Sequence, residues 1–199
     1  MTTCLVCGLS YLETYPPDVR RHRQQHDAAL HGVRWTRLKR ETVLDEDAGQ
    51  RIICVTSFDT LALRRRAEAV ARRAKRDTPY DFSAYHTTDT EGNPHIYIAI
   101  RDERAIGFLA LARLGRAGRV TWEAFDQGGS VEMQPSPAWT VLMVWVHPNL
   151  QQQGLGRQLV TAAAAERRQN VDDLVWLLPF TEAGRRLAQR LSPASILLS

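Results

Sequence analysis

Four side chains near the N-terminus have the types and spacing of metal donors. Cys4 and Cys7 are separated by two residues, and His22 and His26 follow at an i, i+4 spacing. Two thiolates and two imidazoles close a tetrahedral shell around zinc and leave no open position, so the expected chemistry is structural rather than catalytic. The stretch from Asp18 to His26 reads as a helix, which places both histidines on one face. Residues 1–28 alone cannot bury a sufficient core, so zinc binding and folding of this segment are expected to be one event. Three cysteines are an odd and small number, which argues against a disulfide framework and for a metal half-site at Cys4 and Cys7.

A second constellation lies at "VWVHPNLQQQGLGRQLV", residues 144–160. An apolar run ends at His147 and Pro148, and a helical pattern begins around Leu155. Between them, Gly154 and Gly156 allow the backbone to turn with its N–H groups aimed into one small cavity. The positive end of the following helix adds to that field, so the turn suits a phosphate. No Gly-Lys-Ser/Thr ending and no G-x-G-x-x-G are present, which excludes a P-loop and a dinucleotide fold.

The elements that must position these groups can be read from periodicity. "RIICVTSFD" is a short β-branched strand, and "TLALRRRAEAVARRAKRD" puts Leu63, Ala67, Val70, Ala71 and Ala74 on one helical face. "HIYIAI" and "AIGFLALARL" read as strands joined by "RDER", and "RVTWEAF" as a further strand. "WTVLMVWV" has the pattern of a strand covered on both faces. "LGRQLVTAAAAERRQ" is helical by propensity, "DLVWLL" is a buried strand, "TEAGRRLAQRL" a helix and "SILLS" a last strand. This order predicts an α/β fold, one mixed sheet flanked by helices over residues 29–199, behind a small N-terminal C2H2 zinc finger at 1–28. Residues 29–50 are expected to be a polar connector with a turn at "DEDAG".

A chain of 199 residues can hold its main domain without metal or disulfide. It contains no apolar run long enough to span a membrane and no signal-peptide pattern, so a cytoplasmic location is expected. The net charge is +4 and almost wholly arginine-based. Arg20, Arg21 and Arg23 in the finger leave a nucleic-acid reader open as an alternative. One finger of that kind reads only about 3 bp, which favours a structural staple that helps shape an acceptor surface. Arg64, Arg65, Arg72, Arg73 and Arg76 form a basic helix face, read first as solvated surface and second as an attractor of acidic partners.

Gln151-x-x-Gly154-x-Gly156 after a Val-x-Pro strand end resembles the acyl-CoA signature of the GCN5-related N-acetyltransferases. The resemblance implies acetyl-CoA as co-substrate, with pyrophosphate on the turn formed by Gln151, Gln152, Gln153, Gly154, Leu155, Gly156 and Arg157. It also implies a pantetheine arm laid along the strand edge at Val144, Trp145 and Val146. The opening stretch, with Gly8, Leu9, Tyr11 and Asp18 between and around its four donors, is similar to the finger of the sister-chromatid cohesion (Eco/ESCO) acetyltransferases. "GQRIICV", "IGFLA" and "FTEAGRRLA" extend that similarity over almost the whole chain. It implies an acceptor amine on a protein lysine, with a small-molecule amine, or a binding module with a vestigial CoA site, as alternatives. At the two positions where that family has a catalytic serine and aspartate, this chain has Leu142 and Pro179, which cannot move a proton. Glu132, in the Gly/Pro-rich stretch before the CoA strand, is therefore the expected general base.

Overall fold

The computed structural model describes residues 1–78 and 94–199. The chain opens with a two-stranded hairpin, β1 (Thr2–Thr3) and β2 (Ser10–Tyr11), followed by helix α1 (Pro16–His31). This is a ββα unit. β3 (Val33–Arg34), β4 (Thr42–Asp47) and β5 (Gln50–Val55) then lead to α2 (Leu61–Asp77). β6 (His95–Arg101), β7 (Arg104–Ala112) and β8 (Arg116–Thr121) precede the short α3 (Trp122–Asp126) and β9 (Gln134–Pro135). β10 (Thr140–Val146), α4 (Leu155–Glu166), β11 (Val175–Trp176), α5 (Glu182–Leu191) and β12 (Ser195–Leu198) complete the order.

One mixed sheet runs β4-β5-β6-β7-β10-β11-β12-β8-β9, with β3 pairing on β7. Among the described strands, only the β10–β11 and β11–β12 pairs are parallel. Two hairpin turns carry positive φ at both central residues, Ala48 and Gly49 in one and Asp102 and Glu103 in the other. That geometry matches the twist of paired strands, and it is why "DEDAG" and "RDER" turn where they do.

Each face of the sheet has its own core. On one, α2 buries Leu63, Ala67, Val70, Ala71 and Ala74, the five residues its periodicity predicts, against Ile53, Ile98 and Phe108. On the other, α4 buries Leu155, Leu159, Val160, Ala163 and Ala164 against Tyr97, Ala99 and Leu109. The mixed α/β architecture expected from the sequence is therefore the one observed. No helix among the described residues is long and apolar enough to cross a membrane.

Three local expectations change. The connector at 29–50 carries strands, because β4 pairs with β5 and Trp35 is fully buried in the α2-side core. "WEAF" is helical: Thr121 Oγ1 accepts the Ala124 N–H at 3.2 Å, and the Trp122 indole donates to the Ser192 carbonyl at 2.8 Å. Capping and burial of that indole outweigh the β-propensity of the segment. "DLVWLL" shortens to Val175–Trp176, since Val171–Asp173 form a 3-10 turn and Asp173 pairs with Arg119 at 3.6 Å.

Candidate functional site

The N-terminal donors converge. The ligand atoms of Cys4, Cys7, His22 and His26 all lie within 4.8 Å of one another. Cys4 Sγ is 3.2 Å from His26 Nδ1, and His22 Nε2 is buried with no hydrogen-bond partner among the described residues. Such an orphaned ring nitrogen is costly unless a ligand takes it. The backbone N–H of Cys7, followed by the side chains of His22 and His26, pulls the Cys4 thiol down to about 5, which favours a thiolate donor. Burial pushes the Cys7 thiol up instead. The flanking residues hold the donors in place: Tyr11 stacks on His22 with ring centroids 4.0 Å apart, and Asp18 accepts the Leu12 N–H at 3.0 Å. α1 buries no residue of its own, so the unit has no apolar core to stand on. A tetrahedral zinc fits this donor set.

The second constellation is built from β10 and the turn into α4. β10 pairs with β7 along its whole length, from Thr140↔Ala112 to Val146↔Gly107. With β11 it pairs only at Thr140↔Val175 and Val141↔Trp176, the contact being closed by the Leu177 N–H donating to the Val141 carbonyl at 3.0 Å. Beyond Val141 the two strands part, and among the described residues no strand pairs with that edge of β10, which is left open.

A register shift between Val141 and Met143 marks a bulge at Leu142, which changes the strand's parity. After it, His147 donates toward β7 (to Ile106 O at 2.8 Å), while the Val146 carbonyl faces the opposite edge and accepts from Gln151 Nε2 at 3.3 Å. Alternation then turns the N–H and C=O groups of Val144 and Val146 to the open edge and those of Trp145 to β7. The Trp145 indole points to the α2 side and donates to Asp77 at 2.9 Å. Of the three expected edge residues, two present their backbone there and the third anchors the strand.

Gly154 is the N-cap residue of α4, with φ +85° and no side-chain cap. Its first intrahelical bond runs from the Gln158 N–H to the Gly154 carbonyl at 3.0 Å. The N–H groups of Leu155, Gly156 and Arg157 thus have no acceptor within the helix. Gly156 allows a close approach: a Cβ there would stand 3.3 Å from Leu187 Cδ2 on α5. Gln151, Gln152 and Gln153 form the exposed rim of the turn, with Gln152 at φ +64°. An open strand edge therefore ends at three N–H groups without intrahelical acceptors on the positive end of a helix, a surface for an extended chain that terminates in phosphates.

Comparison with known proteins bears on the same elements. The profile of the Acetyltransferase (GNAT) family matches residues 61–191, well over half of the chain. The chain belongs to the GNAT acetyltransferase family. It is 23% identical over 145 residues to N-acetyltransferase ECO1 of Yarrowia lipolytica, covering 69% of this chain and 46% of the relative. It is 31% identical over 120 residues to N-acetyltransferase ESCO2 of Danio rerio, covering 60% of this chain and 19% of the relative. The chain thus spans less than half the length of either. The xEco2 acetyltransferase domain, solved bound to a lysine–CoA conjugate, superposes with a TM-score of 0.67 at 18% identity, covering 81% of this chain and 98% of that one. That likeness establishes a shared fold.

Within this GNAT domain the candidate proton carriers are dispersed. Leu142 occupies the β10 bulge, and Pro179 follows the short β11. His147 is only 2% exposed; its Nδ1 accepts the Asn149 N–H at 3.4 Å, and burial holds its pKa below the usual histidine range. Glu132 is exposed, and its backbone is seated over Gly118 of β8. Gly118, Leu198, Trp176 and Val141 lie in one row across the sheet, so three strand spacings, roughly 14 Å, separate that seat from β10. A glutamate side chain does not span this gap, so the sheet order removes the reason for choosing Glu132, which rested on proximity in sequence.

One cluster has no sequence signal. Cys54, His95 and Glu166 come together beside Tyr97, from β5, β6 and the end of α4. The Glu166 carboxylate is already taken by the Tyr97 hydroxyl at 2.9 Å and by the Arg167 guanidinium, so the group is a partly buried polar network. Only the fold joins residues this far apart along the chain.

Proposed function

We propose that this GNAT-family chain is an acetyl-CoA-dependent N-acetyltransferase acting on a primary amine, with a protein lysine as acceptor and a structural zinc on Cys4, Cys7, His22 and His26. The observation that carries this reading is the open edge of β10 ending at the uncapped N-terminus of α4. In this reading the pantetheine amides pair with the backbone of Val144 and Val146, and the pyrophosphate is held by the Gln152–Arg157 turn. The thioester then lies in the opening between β10 and β11. The acceptor nitrogen attacks the thioester carbonyl, the new C–N bond forms, the C–S bond breaks, and CoA leaves as the thiol after protonation. Holding the amine and thioester together supplies much of the rate. Leu142 and Pro179 take no proton, so the amine's proton passes to water or to a group on the acceptor itself.

The lysine assignment is supported by the Eco-type relatives and by the lysine–CoA conjugate bound to the xEco2 domain. A cytoplasmic location belongs to the same reading, supported by three free cysteines, two of them standing in a thiol-dependent donor set. Incubating a host lysate with the protein and isotopically labelled acetyl-CoA tests the acceptor class by mass spectrometry. Label on protein lysines is the expected result. Label confined to small amines would overturn the acceptor, and no transfer at all would overturn the activity.

A further inference from the structure

The finger helix does more than carry two metal donors. α1 continues past His26 to His31; the Ala28 carbonyl accepts the capping Gly32 N–H at 3.1 Å, and the carbonyls after it have no intrahelical donors of their own. Two of them are taken by the loop that leads into α4. The Ala29 carbonyl lies 3.0 Å from His147 Nε2, and the Leu30 carbonyl accepts from Asn149 Nδ2 at 3.3 Å. A carbonyl only accepts, so Nε2 carries the ring hydrogen and leaves Nδ1 free to accept the Asn149 N–H. One buried imidazole therefore joins the end of the finger helix to the start of the turn.

Arg104 secures the same helix from the sheet side. Its guanidinium donates to Asp27 at 2.5 and 3.1 Å and to the Gly32 carbonyl at 3.2 Å. Because α1 buries none of its residues, polar contacts at its C-terminal end and the donor set at Cys4, Cys7, His22 and His26 are what hold it. The path between them is short. From His26 to Leu30 is about one helical turn, roughly 6 Å.

Resting on the zinc and acetyl-CoA assignments above, we infer that the metal centre and the acetyl-CoA turn are energetically coupled through α1, with His147 and Asn149 as the positioning residues. Metal occupancy orders the helix, the helix end fixes His147 and Asn149, and these fix the backbone that precedes the Gly154 turn. Such coupling is reciprocal: zinc raises acetyl-CoA affinity by the factor by which acetyl-CoA raises zinc affinity.

The test uses the full chain. Acetyl-CoA dissociation constants are measured by calorimetry on the zinc-loaded and chelator-stripped forms. Zinc affinity is measured by chelator competition with and without saturating acetyl-CoA. Both ratios are expected to agree and to exceed about fivefold, the lower end of ordinary coupling between sites. In His147→Ala, and in the milder Asn149→Ala should the first fail to fold, the ratio falls toward one. Zinc affinity without acetyl-CoA also falls in these variants, an effect that a purely local role in the loop would not produce. A protein that binds both ligands with a ratio of one overturns the coupling alone. Failure of the loaded chain to bind acetyl-CoA overturns the functional reading beneath it, and failure to bind zinc overturns the finger assignment.

Discussion

Gly154 and Gly156 serve one turn in different ways, and their variants should separate accordingly. Gly154 sits at φ +85° with nothing within 4 Å of the point a Cβ would occupy, so its constraint is conformational. Gly154→Ala is expected to cost about 1–2 kcal/mol in chemical denaturation, the usual penalty for a left-handed L-residue. Gly156→Ala is tight only against the flexible end of Leu187, with Val146 Cγ2 at an ordinary 3.8 Å, and should cost less. Glu132 supplies a second residue-level test. From its seat on β8, Glu132→Gln should retain most of its turnover, well short of the roughly 10²-fold loss that removal of a general base brings. A loss of that size in steady-state assays would return Glu132 to the mechanism. His95 gives a pH test. Burial first, and then Arg167 and Arg113, push its pKa down to about 4, below its unfolded value of about 6.5. Its contribution is therefore full above about pH 6.5 and is lost as pH falls toward about 4. After allowance for solvent screening of a partly exposed ring, this is on the order of 1–2 kcal/mol. His95→Gln should flatten that slope in denaturation curves; parallel curves would assign the slope to other groups.

Elements were legible where one periodicity decided them. The α2 face was written in five apolar residues, and the β10–turn–α4 junction in an apolar run followed by two glycines. The four candidate donors were equally plain, since two cysteines and two histidines at fixed spacing require no tertiary context. The Leu142 bulge was not legible, because an all-apolar strand gives no sign of which residue is extra. That bulge decides which backbone groups reach the open edge. Nor could spacing place Glu132, since β8 and β9 lie beyond β12 in the sheet although they precede β10 in the chain. The strand parity has a direct consequence. Trp145→Phe removes a 2.9 Å hydrogen bond to Asp77 and should cost about 1 kcal/mol of stability while acetyl-CoA affinity is unchanged. Val144→Pro removes an N–H from the open edge, where proline is tolerated, and should weaken acetyl-CoA binding. The opposite pattern in calorimetry would mean that the parity after Leu142 has been assigned to the wrong edge.

At the scale of the whole molecule, a ββα unit without a core of its own is joined to a sheet that has one on each face. The basic residues do not by themselves make a nucleic-acid protein: the net charge is +4, and Arg73 and Arg104 are engaged with Asp77 and Asp27. Duplex DNA should therefore be released by about 200 mM salt without sequence preference, as phosphate-only contacts are. Sequence-selective retention in a filter or gel assay at that salt would give the finger a reading role. The central claim is that acetyl-CoA lies along β10 with its pyrophosphate on the first turn of α4, and a thermal-shift measurement on the zinc-loaded full chain tests it most directly. Acetyl-CoA at about 100 times its dissociation constant should stabilise the wild-type chain by about 2.7 kcal/mol. In Gly154→Glu, which fills the turn and repels the phosphates, the shift relative to that variant's own baseline should vanish. An undiminished shift in Gly154→Glu would contradict the placement of the cofactor.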